Sequence, residues 1–188
     1  MINKISTVGF ILILSSTLLL ADRALPSGMA DVVGRAMNTD ASSWYAKFGH
    51  IALYDANKGN VLEVTNRRPA IREQSITTMT QYGYYWGARY GIGDSGERYR
   101  TLYYGNAQRR YSPKYTFSPY YQEGKWSKKW RFSWRKGWYR KWVREDARFR
   151  CDSFVNYCYR KSTDRRLIRH TWETTPHRIF KALPYTRQ

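Results

Sequence analysis

Acidic side chains are scarce in this chain of 188 residues: 14 Asp and Glu stand against 33 Lys and Arg, which gives a formal net charge of +19. A charge this high favours an anionic partner. Cysteine is also scarce, with only Cys151 and Cys158. If residues 151–158 form a helix, the two Cα atoms lie about 10 Å apart, further than the ~7 Å that a disulfide allows. We therefore expect both thiols to be free with respect to each other.

The sequence lacks the motifs of several enzyme classes. Its three histidines and two cysteines form no CxxC or HExxH pair, which argues against a metal site, and we expect no cofactor. No GxSxG supports a serine triad. Residues 91–97, GIGDSGE, are rich in glycine, but no apolar strand precedes them and no helical pattern follows. We interpret them as a loop and not as a dinucleotide site.

The first 30 residues have the composition of a secretory signal peptide. Lys4 precedes an apolar run, Val8 to Ala21, that is short for a membrane span. Cleavage is expected after Ala21 or after Ala30, and an uncleaved N-terminal anchor is the alternative. We assign residues 1–30 to the signal peptide and predict a secreted or periplasmic protein. The single domain that remains, residues 31–188, keeps a net charge of +18.

A β-hairpin is the clearest structural signal. Apolar runs flank the turn-forming residues 55–60, so strands are predicted near 49–54 and 61–66. Upstream, Val32, Val33 and Met37 are expected to form one apolar stripe of a short helix.

The middle of the chain gives weaker signals. Apolar residues recur at steps of three to four over 75–90, which allows a short helix there. Residues 99–123 are rich in tyrosine and proline, and we predict extended chain with turns. Near the C-terminus, Thr174-Thr175-Pro176 is typical of a helix start.

Tryptophan recurs every four residues from position 126 to 142, and lysine and arginine fill the gaps. The positions are Trp126, Trp130, Trp134, Trp138 and Trp142. A step of four fits a drifting stripe on a helix, but it also keeps every side chain on one face of a strand. We favour the helix slightly. The segment belongs to a predicted aromatic and basic insertion at about 99–148, and it is interpreted either as a core stripe or as a membrane-interface element.

Cys151 is the candidate nucleophile, because a helix is predicted to begin there. A helix start and the preceding Arg148 and Arg150 both favour the thiolate form of a cysteine. Backbone N–H groups at a helix start can also bind an oxyanion. Cys158, two turns further along, is expected in the core. Arg148 and Arg150, together with Trp126, Trp130 and Trp134, are the candidate substrate- or anion-binding residues.

His50 is the candidate base for that nucleophile. It begins the first predicted strand, where a side chain is held rigidly, and Gly49 before it permits close approach of a substrate backbone. Glu63 on the partner strand is the expected orienting residue, with Asn66 as the second choice. The remaining histidines, His170 and His177, lie in Arg-rich segments and are expected on the surface.

Two short segments resemble a known family. Residues 150–159, RCDSFVNYCY, resemble the nucleophile helix of NlpC-type papain-like hydrolases, Asp-Cys-Ser-Gly-Phe-Val, and are similar to the Asn-Cys-Glu-His-Phe-Val segment of lecithin–retinol acyltransferase relatives. Residues 49–54, GHIALY, resemble the Gly-His-Val-Gly-Ile-Tyr strand of these families. The histidine strand precedes the cysteine helix, as in the circularly permuted, YiiX-like branch, and Thr175-Pro176 fits the end of that branch.

The resemblance implies an α+β, papain-like fold in which an antiparallel sheet packs against the cysteine-bearing helix. It also implies that Cys151 is the nucleophile, His50 the base and Glu63 the orienting residue. The sequence departs from the cell-wall enzymes at Arg150, where they commonly have aspartate, and at residues 152–153, where Asp-Ser replaces Ser-Gly. Family analogy therefore indicates the chemistry better than the substrate.

Three functions are compatible with these features. The first is an exported cysteine peptidase or amidase that cleaves peptidoglycan peptides through an acyl-enzyme, aided by attraction between its positive charge and the anionic cell envelope. The second keeps this chemistry in a lipid-directed acyltransferase or hydrolase, with residues 126–144 on an anionic membrane surface. The third is a non-catalytic module that binds an anionic glycan or nucleic acid. Export argues against nucleic acid as the partner.

Overall fold

The computed structural model describes residues 24–37, 49–80, 84–165, 167–168 and 174–185. Most of the predicted signal peptide, and His170, lie outside these ranges. Within them the elements follow in the order β1 (Val32–Arg35), β2 (His50–Asp55), β3 (Asn60–Val64), β4 (Ile71–Ser75), α1 (Thr77–Thr80), β5 (Tyr85–Arg89), α2 (Ser95–Ala107), a 3-10 helix (Gln108–Tyr111), β6 (Lys114–Tyr115), β7 (Lys125–Ser133), β8 (Gly137–Glu145), β9 (Arg148–Phe149), α3 (Cys151–Thr163) and α4 (Pro176–Ala182). Among these helices, none has the length and apolar character needed to cross a membrane.

A five-stranded sheet of order β4-β3-β2-β1-β5 forms the centre of the fold, and every neighbouring pair is antiparallel. The predicted α+β class with an antiparallel sheet is therefore confirmed. The predicted hairpin is confirmed as β2 and β3, in a register that pairs Leu53 with Leu62. This hairpin brings the start of β2 next to the end of β3, and the candidate site lies there.

The predicted helix around Val32 and Val33 was wrong, because these residues form β1. Val32 packs in the cluster that contains the long helices, whereas Val33 packs with Ala52 and Val61 on the other side of the sheet. Successive side chains of a strand point to opposite faces, so two adjacent buried valines fit a strand that is covered on both sides.

Helix α3 packs on β2 and β3 and supplies much of the core. Phe154, Val155 and Cys158 are fully buried with Ile51 and Leu53 of the sheet. The prediction that Cys158 is a core residue is confirmed, and both cysteines are free. Burying each large apolar side chain contributes roughly 1.5–3 kcal/mol, so this packing anchors α3 on the sheet.

Helix α2 contradicts two predictions, since residues 91–97 lead into a helix and residues 99–107 are not extended. Asp94 caps the helix by accepting a hydrogen bond from the Glu97 N–H at 2.7 Å, while the Glu97 carboxylate accepts from the Asp94 N–H at 3.0 Å. Gly105 lies where α2 meets α3: a Cβ there would come within 2.9 Å of Phe154 and 3.1 Å of Cys158 Sγ. The sequence of α2 has only a weak apolar pattern, because a glycine makes the contact of this helix with α3.

Residues 75–90 contain both a helix and a strand. Within the described part of this range, residues 75–80 and 84–90, only α1, one turn long, is helical as predicted, and β5 forms the edge strand beside β1. The steps of three to four therefore do not mark one continuous helix.

The tryptophan-rich segment is a β-hairpin, so the slight preference for a helix was wrong. β7 pairs with β8 over their full lengths, from Lys125 opposite Glu145 to Ser133 opposite Gly137. A step of four is even, and a strand alternates with a period of two, so the strand tryptophans share one face of the ribbon. Gly137, which adopts φ of +61° beside the turn, suits a hairpin better than a helix interior.

Residues just before β1 are also part of the packed fold. The Ala30 N–H donates to the Tyr54 carbonyl at 2.8 Å, and the Tyr54 N–H donates to the Asp31 carbonyl at 2.7 Å. The buried Asp31 carboxylate accepts from the N–H groups of Gly28 at 2.8 Å and Gly91 at 3.1 Å. Chain on both sides of Ala30, one of the two expected cleavage positions, is thus tied into the domain.

The C-terminal helix begins as the sequence predicts. Thr175 is the N-cap of α4, with its hydroxyl accepting from the Arg178 N–H at 3.3 Å, and Pro176 occupies the first helical turn. Ile179 and Phe180 then bury the helix against the sheet.

Candidate active site

Cys151 is the first residue of α3, as predicted. Arg150 precedes it as an extended N-cap, and its N–H donates to Ser153 Oγ at 2.9 Å. The Ser153 N–H donates in turn to Asp152 Oδ1 at 2.8 Å. In the first turn of a helix the amide of Cys151 has no intrahelical acceptor, so it can stabilise negative charge that develops beside the sulfur.

Arg150 ties the start of α3 to its surroundings. Its Nε donates to Asp152 Oδ1 at 2.6 Å and its Nη2 to Asp152 Oδ2 at 2.5 Å. The same guanidinium donates to the carbonyls of Thr174 at 2.5 Å and Phe117 at 3.2 Å. Asp152 is fully buried, so this pair compensates its charge and holds three chain segments around Cys151.

His50 is the first residue of β2 and lies at the edge of the same region. Gly49 before it has φ of +73°, and a Cβ at this position would lie 2.1 Å from the Trp86 ring. The Trp86 ring therefore fills the space beside the Gly49 Cα. This tight contact helps to fix where the His50 side chain leaves the strand. The expected approach of a substrate backbone to Gly49 stays a prediction.

Glu63 on β3 holds the imidazole of His50. The antiparallel pairing of β2 with β3, in which Leu53 lies opposite Leu62, brings the start of β2 beside the end of β3 and so places His50 near Glu63. His50 Nε2 lies 2.7 Å from Glu63 Oε2. The other oxygen, Oε1, accepts from Nε and Nη2 of Arg72, both at 2.9 Å. The exposed Asn66, the second choice for this role, makes no hydrogen bond with His50 in the described structure.

Burial alone would lower the pKa of His50, but its two partners reverse the effect. Hydrogen bonds with Cys151 and Glu63, and the negative charges of both, raise the pKa of His50 to about 9. Burial of the Glu63 carboxyl opposes its ionisation, yet His50 and Arg72 together lower its pKa. The arrangement thus favours an imidazolium between a carboxylate and a sulfur. With Nε2 engaged by Glu63, Nδ1 is the ring nitrogen left for the thiol.

A cavity of about 150 Å³ opens beside this pair. Its lining includes Cys151 and His50, together with Arg35, Met37, Gly49, Val64, Thr65, Asn66, Tyr115, Phe117, Arg150 and Pro176. Both side chains of the pair are largely buried, Cys151 being 2% and His50 6% exposed, so a reacting group reaches them through the cavity. Burial of both side chains lowers the local dielectric and so strengthens the electrostatic interactions of the pair.

Tyr115 also lines this cavity, and no sequence motif indicated it. Burial raises the pKa of its phenol, and the negative charges of Cys151 and Asp152 raise it further. Its ring packs edge to face on Phe117, with centroids 5.3 Å apart. The strand β6 that carries it pairs in parallel with β9, just before Cys151, a tertiary pairing that no local pattern indicated.

The other predicted residues lie elsewhere. Trp126, Trp130 and Trp134 are exposed on the β7–β8 hairpin, outside the cavity lining, and Arg148 is exposed on β9. His177 is exposed, as predicted; it packs against Trp86 with ring centroids 4.8 Å apart, and partial burial lowers its pKa. Burial raises the pKa of the Cys158 thiol well above its usual range.

The fold and the site together define an α+β domain in which a helix-start cysteine, a histidine and a glutamate interact in a row beside a cavity. Comparison with protein-family models, with curated proteins and with solved structures finds no match to this chain. In the part of the chain that the structure describes, no three His, Cys, Asp or Glu side chains cluster in a way that could hold a metal ion.

Proposed function

We propose that this chain is a cysteine hydrolase in which Cys151 is the nucleophile, His50 the general base and acid, and Glu63 the residue that positions His50. The observation that carries the proposal is the interaction of His50 with both Cys151 and Glu63 at the wall of an open cavity. A nucleophile, a base within hydrogen-bond reach and a third group that orients the base make up the arrangement that covalent catalysis requires.

The chemistry follows from these roles. The Cys151 sulfur attacks the carbonyl carbon of an amide, and the Cys151 N–H stabilises the oxyanion. The imidazolium of His50 gives its proton to the leaving amine as the C–N bond breaks, which leaves a thioester on Cys151. His50 then takes a proton from water, the hydroxide attacks the thioester, and the acid product leaves as the sulfur regains its starting state.

We assign the fold to the papain-like type in its circularly permuted, NlpC-type form, with the catalytic domain made up of residues 31–188 and the packed residues 28–30 before them. Support comes from the resemblance of residues 49–54 and 150–159 to the two motifs of that family, and from the order of strand before helix. Peptide amides of peptidoglycan are the proposed substrate, because an exported protein of this charge is attracted to the anionic cell envelope. The proposed location is accordingly secreted or periplasmic.

Alkylation of the two cysteines tests the mechanism. We expect iodoacetamide at neutral pH to label Cys151 at least about tenfold faster than Cys158, because an imidazolium partner keeps the sulfur nucleophilic. Labelling is followed by mass spectrometry of peptides. His50→Ala should slow the reaction at Cys151, and the matched control His177→Ala should not, since His177 does not line the cavity. Equal rates at Cys151 in wild type and His50→Ala would contradict the proposed pairing.

Purified peptidoglycan tests the substrate separately. Incubation with the wild-type chain should release new free amines, and Cys151→Ala should abolish their release. If Cys151 is selectively labelled but no amines appear, the mechanism stands and the substrate assignment fails.

A second candidate function, a lipid-directed acyltransferase or hydrolase with the same nucleophile, is favoured by one observation: the exposed tryptophans of β7 and β8 suit a lipid surface. Release of fatty acid from phospholipid vesicles by the wild-type chain, but not by Cys151→Ala, would select this candidate over the amidase.

A further inference from the structure

The hairpin of β7 and β8, residues 125–145, carries an exposed aromatic face. Trp126, Trp130 and Phe132 on β7 and Trp138 and Trp142 on β8 project from the same side, as the register of the two strands requires. Each of these five side chains is more than half exposed. Soluble proteins rarely expose so many contiguous large aromatics without a partner for them.

The tip of the hairpin is its most exposed part. Trp134 in the turn is 95% exposed and Trp138 is 70% exposed. The Phe132 ring packs against both of these rings, with its centroid 5.4 Å from that of Trp134 and 5.5 Å from that of Trp138. Each strand has nine residues, a length of about 30 Å at ~3.3 Å per residue. A long ribbon that ends in an aromatic cluster is shaped to insert its tip into a surface.

Positive charge is interleaved with these rings. Residues 125–145 contain nine Lys or Arg and a single Glu. On the aromatic face, Lys128 Nζ lies 5.1 Å from the centroid of Trp142, and the Arg140 guanidinium carbon lies 4.8 Å from the centroid of Trp130. The surface is therefore complementary to a partner that is both apolar and anionic.

We propose that this hairpin docks the protein on an anionic lipid bilayer, with the tip rings at the level of the headgroups. Tryptophan prefers that level, and neighbouring lysine and arginine bind anionic headgroups. Polymer binding by stacking fits less well, because cations already cover a face of Trp130 and of Trp142. This inference does not depend on the proposed catalytic role of Cys151.

Vesicle binding by the full chain tests the proposal. The wild type is compared with Trp130→Ser, Trp134→Ser and Trp138→Ser combined, using vesicles of phosphatidylcholine alone and of equal parts phosphatidylcholine and phosphatidylglycerol. We expect the wild type to prefer the anionic vesicles and the triple variant to bind them at least about tenfold more weakly. All proteins keep the apolar N-terminal segment, so any difference between them comes from the hairpin.

Two further variants separate aromatic from charge effects. Tyr99→Ser with Tyr103→Ser removes two exposed rings from α2, 60% and 57% exposed, and should leave binding unchanged. Lys128→Gln with Arg140→Gln should weaken the preference for phosphatidylglycerol while the tryptophans remain in place. Circular dichroism of each variant checks the fold, and lipids brominated near the headgroup should quench wild-type tryptophan fluorescence more strongly than that of the triple variant.

The proposal fails if the wild type binds both kinds of vesicle equally, or if the folded triple variant binds anionic vesicles as tightly as the wild type. It also fails if tryptophan-dependent binding is found for single-stranded polynucleotide or peptidoglycan fragments but not for vesicles, which would assign the aromatic face to a polymer.

Discussion

At the scale of single residues, His50 is the centre of the site because it has a different partner on each side. Glu63 holds Nε2 at 2.7 Å, and Arg72 prevents Glu63 from turning away by binding its other oxygen at 2.9 Å. Cys151 interacts with the same imidazole. Glu63 binds His50, and His50 interacts with the sulfur, so Glu63 is a positioning residue.

Glu63→Gln tests this role while keeping the size of the side chain. The amide oxygen can still accept from His50, but the negative charge is lost, so the pKa of His50 should fall and its imidazolium form should become less populated. We expect alkylation of Cys151 at neutral pH to slow by about tenfold or more. Glu73→Gln, which removes a carboxylate bound to Lys58 near the surface, is the control and should leave the rate unchanged.

The raised pKa of His50 also predicts a pH dependence of stability. The ordinary pKa of His50 is 6.5, and its pKa in the folded protein is about 9. Between these two pH values the folded state therefore keeps a proton on His50 that the unfolded state has released. The stabilisation from His50 is complete below pH 6.5 and is lost as the pH rises to about 9. Thermal unfolding across this window should show a decrease in the midpoint that is smaller in His50→Gln; equal slopes would contradict the assignment.

At the scale of elements, the contact between α2 and α3 depends on the absence of a side chain at Gly105. Its nearest neighbours at a Cβ position would be Leu62 at 2.8 Å and Phe154 at 2.9 Å, both of them core residues. Glycine usually weakens a helix, and its presence in α2 is explained by this close approach.

Gly105→Ala should therefore destabilise the protein. Overpacking costs about 1–3 kcal/mol, and the better helix propensity of alanine offsets roughly 1 kcal/mol of it. Gly96→Ala in the exposed first turn of the same helix is the matched control, because its nearest atom would be Asp94 Oδ1 at 3.3 Å. Urea unfolding should show a lower midpoint for Gly105→Ala. For Gly96→Ala, the free energy of unfolding should change by no more than about 1 kcal/mol. A midpoint for Gly105→Ala at or above that of the wild type would contradict the close packing.

At the scale of the whole molecule, hydrogen bonds hold the residues just before β1, residues 28–31, in the packed domain. The Ala30 carbonyl accepts from the buried Tyr159 hydroxyl on α3, and the Asp31 carboxylate holds the Gly28 and Gly91 amides. Cleavage after Ala30 would remove the Gly28 amide and the Ala30 carbonyl, which make two of these hydrogen bonds.

We therefore predict that, if the chain is exported and processed, cleavage follows Ala21 and not Ala30. N-terminal sequencing of the protein from the periplasm or medium should give Asp22 as the first residue. A mature N-terminus at Asp31 would show that the hydrogen bonds of Gly28 and Ala30 are not needed for the folded state.

Sequence alone determined those features that rest on short-range chemistry. Turn formers between two apolar runs gave the hairpin of β2 and β3, Thr175-Pro176 gave the start of α4, and the spacing of Cys151 and Cys158 excluded a disulfide between them. These signals depend on neighbours within a few residues, where backbone preferences and side-chain period are decided.

The tertiary structure alone decided the rest. A step of four between tryptophans fits a helix and a strand alike, and only pairing with β8 selected the strand. Likewise, Tyr115 joined the cavity through pairing of β6 with β9, and Arg72 reached Glu63 through pairing of β4 with β3. Long-range pairing brings together residues that are far apart in the chain, and no local pattern encodes which partner a strand will meet.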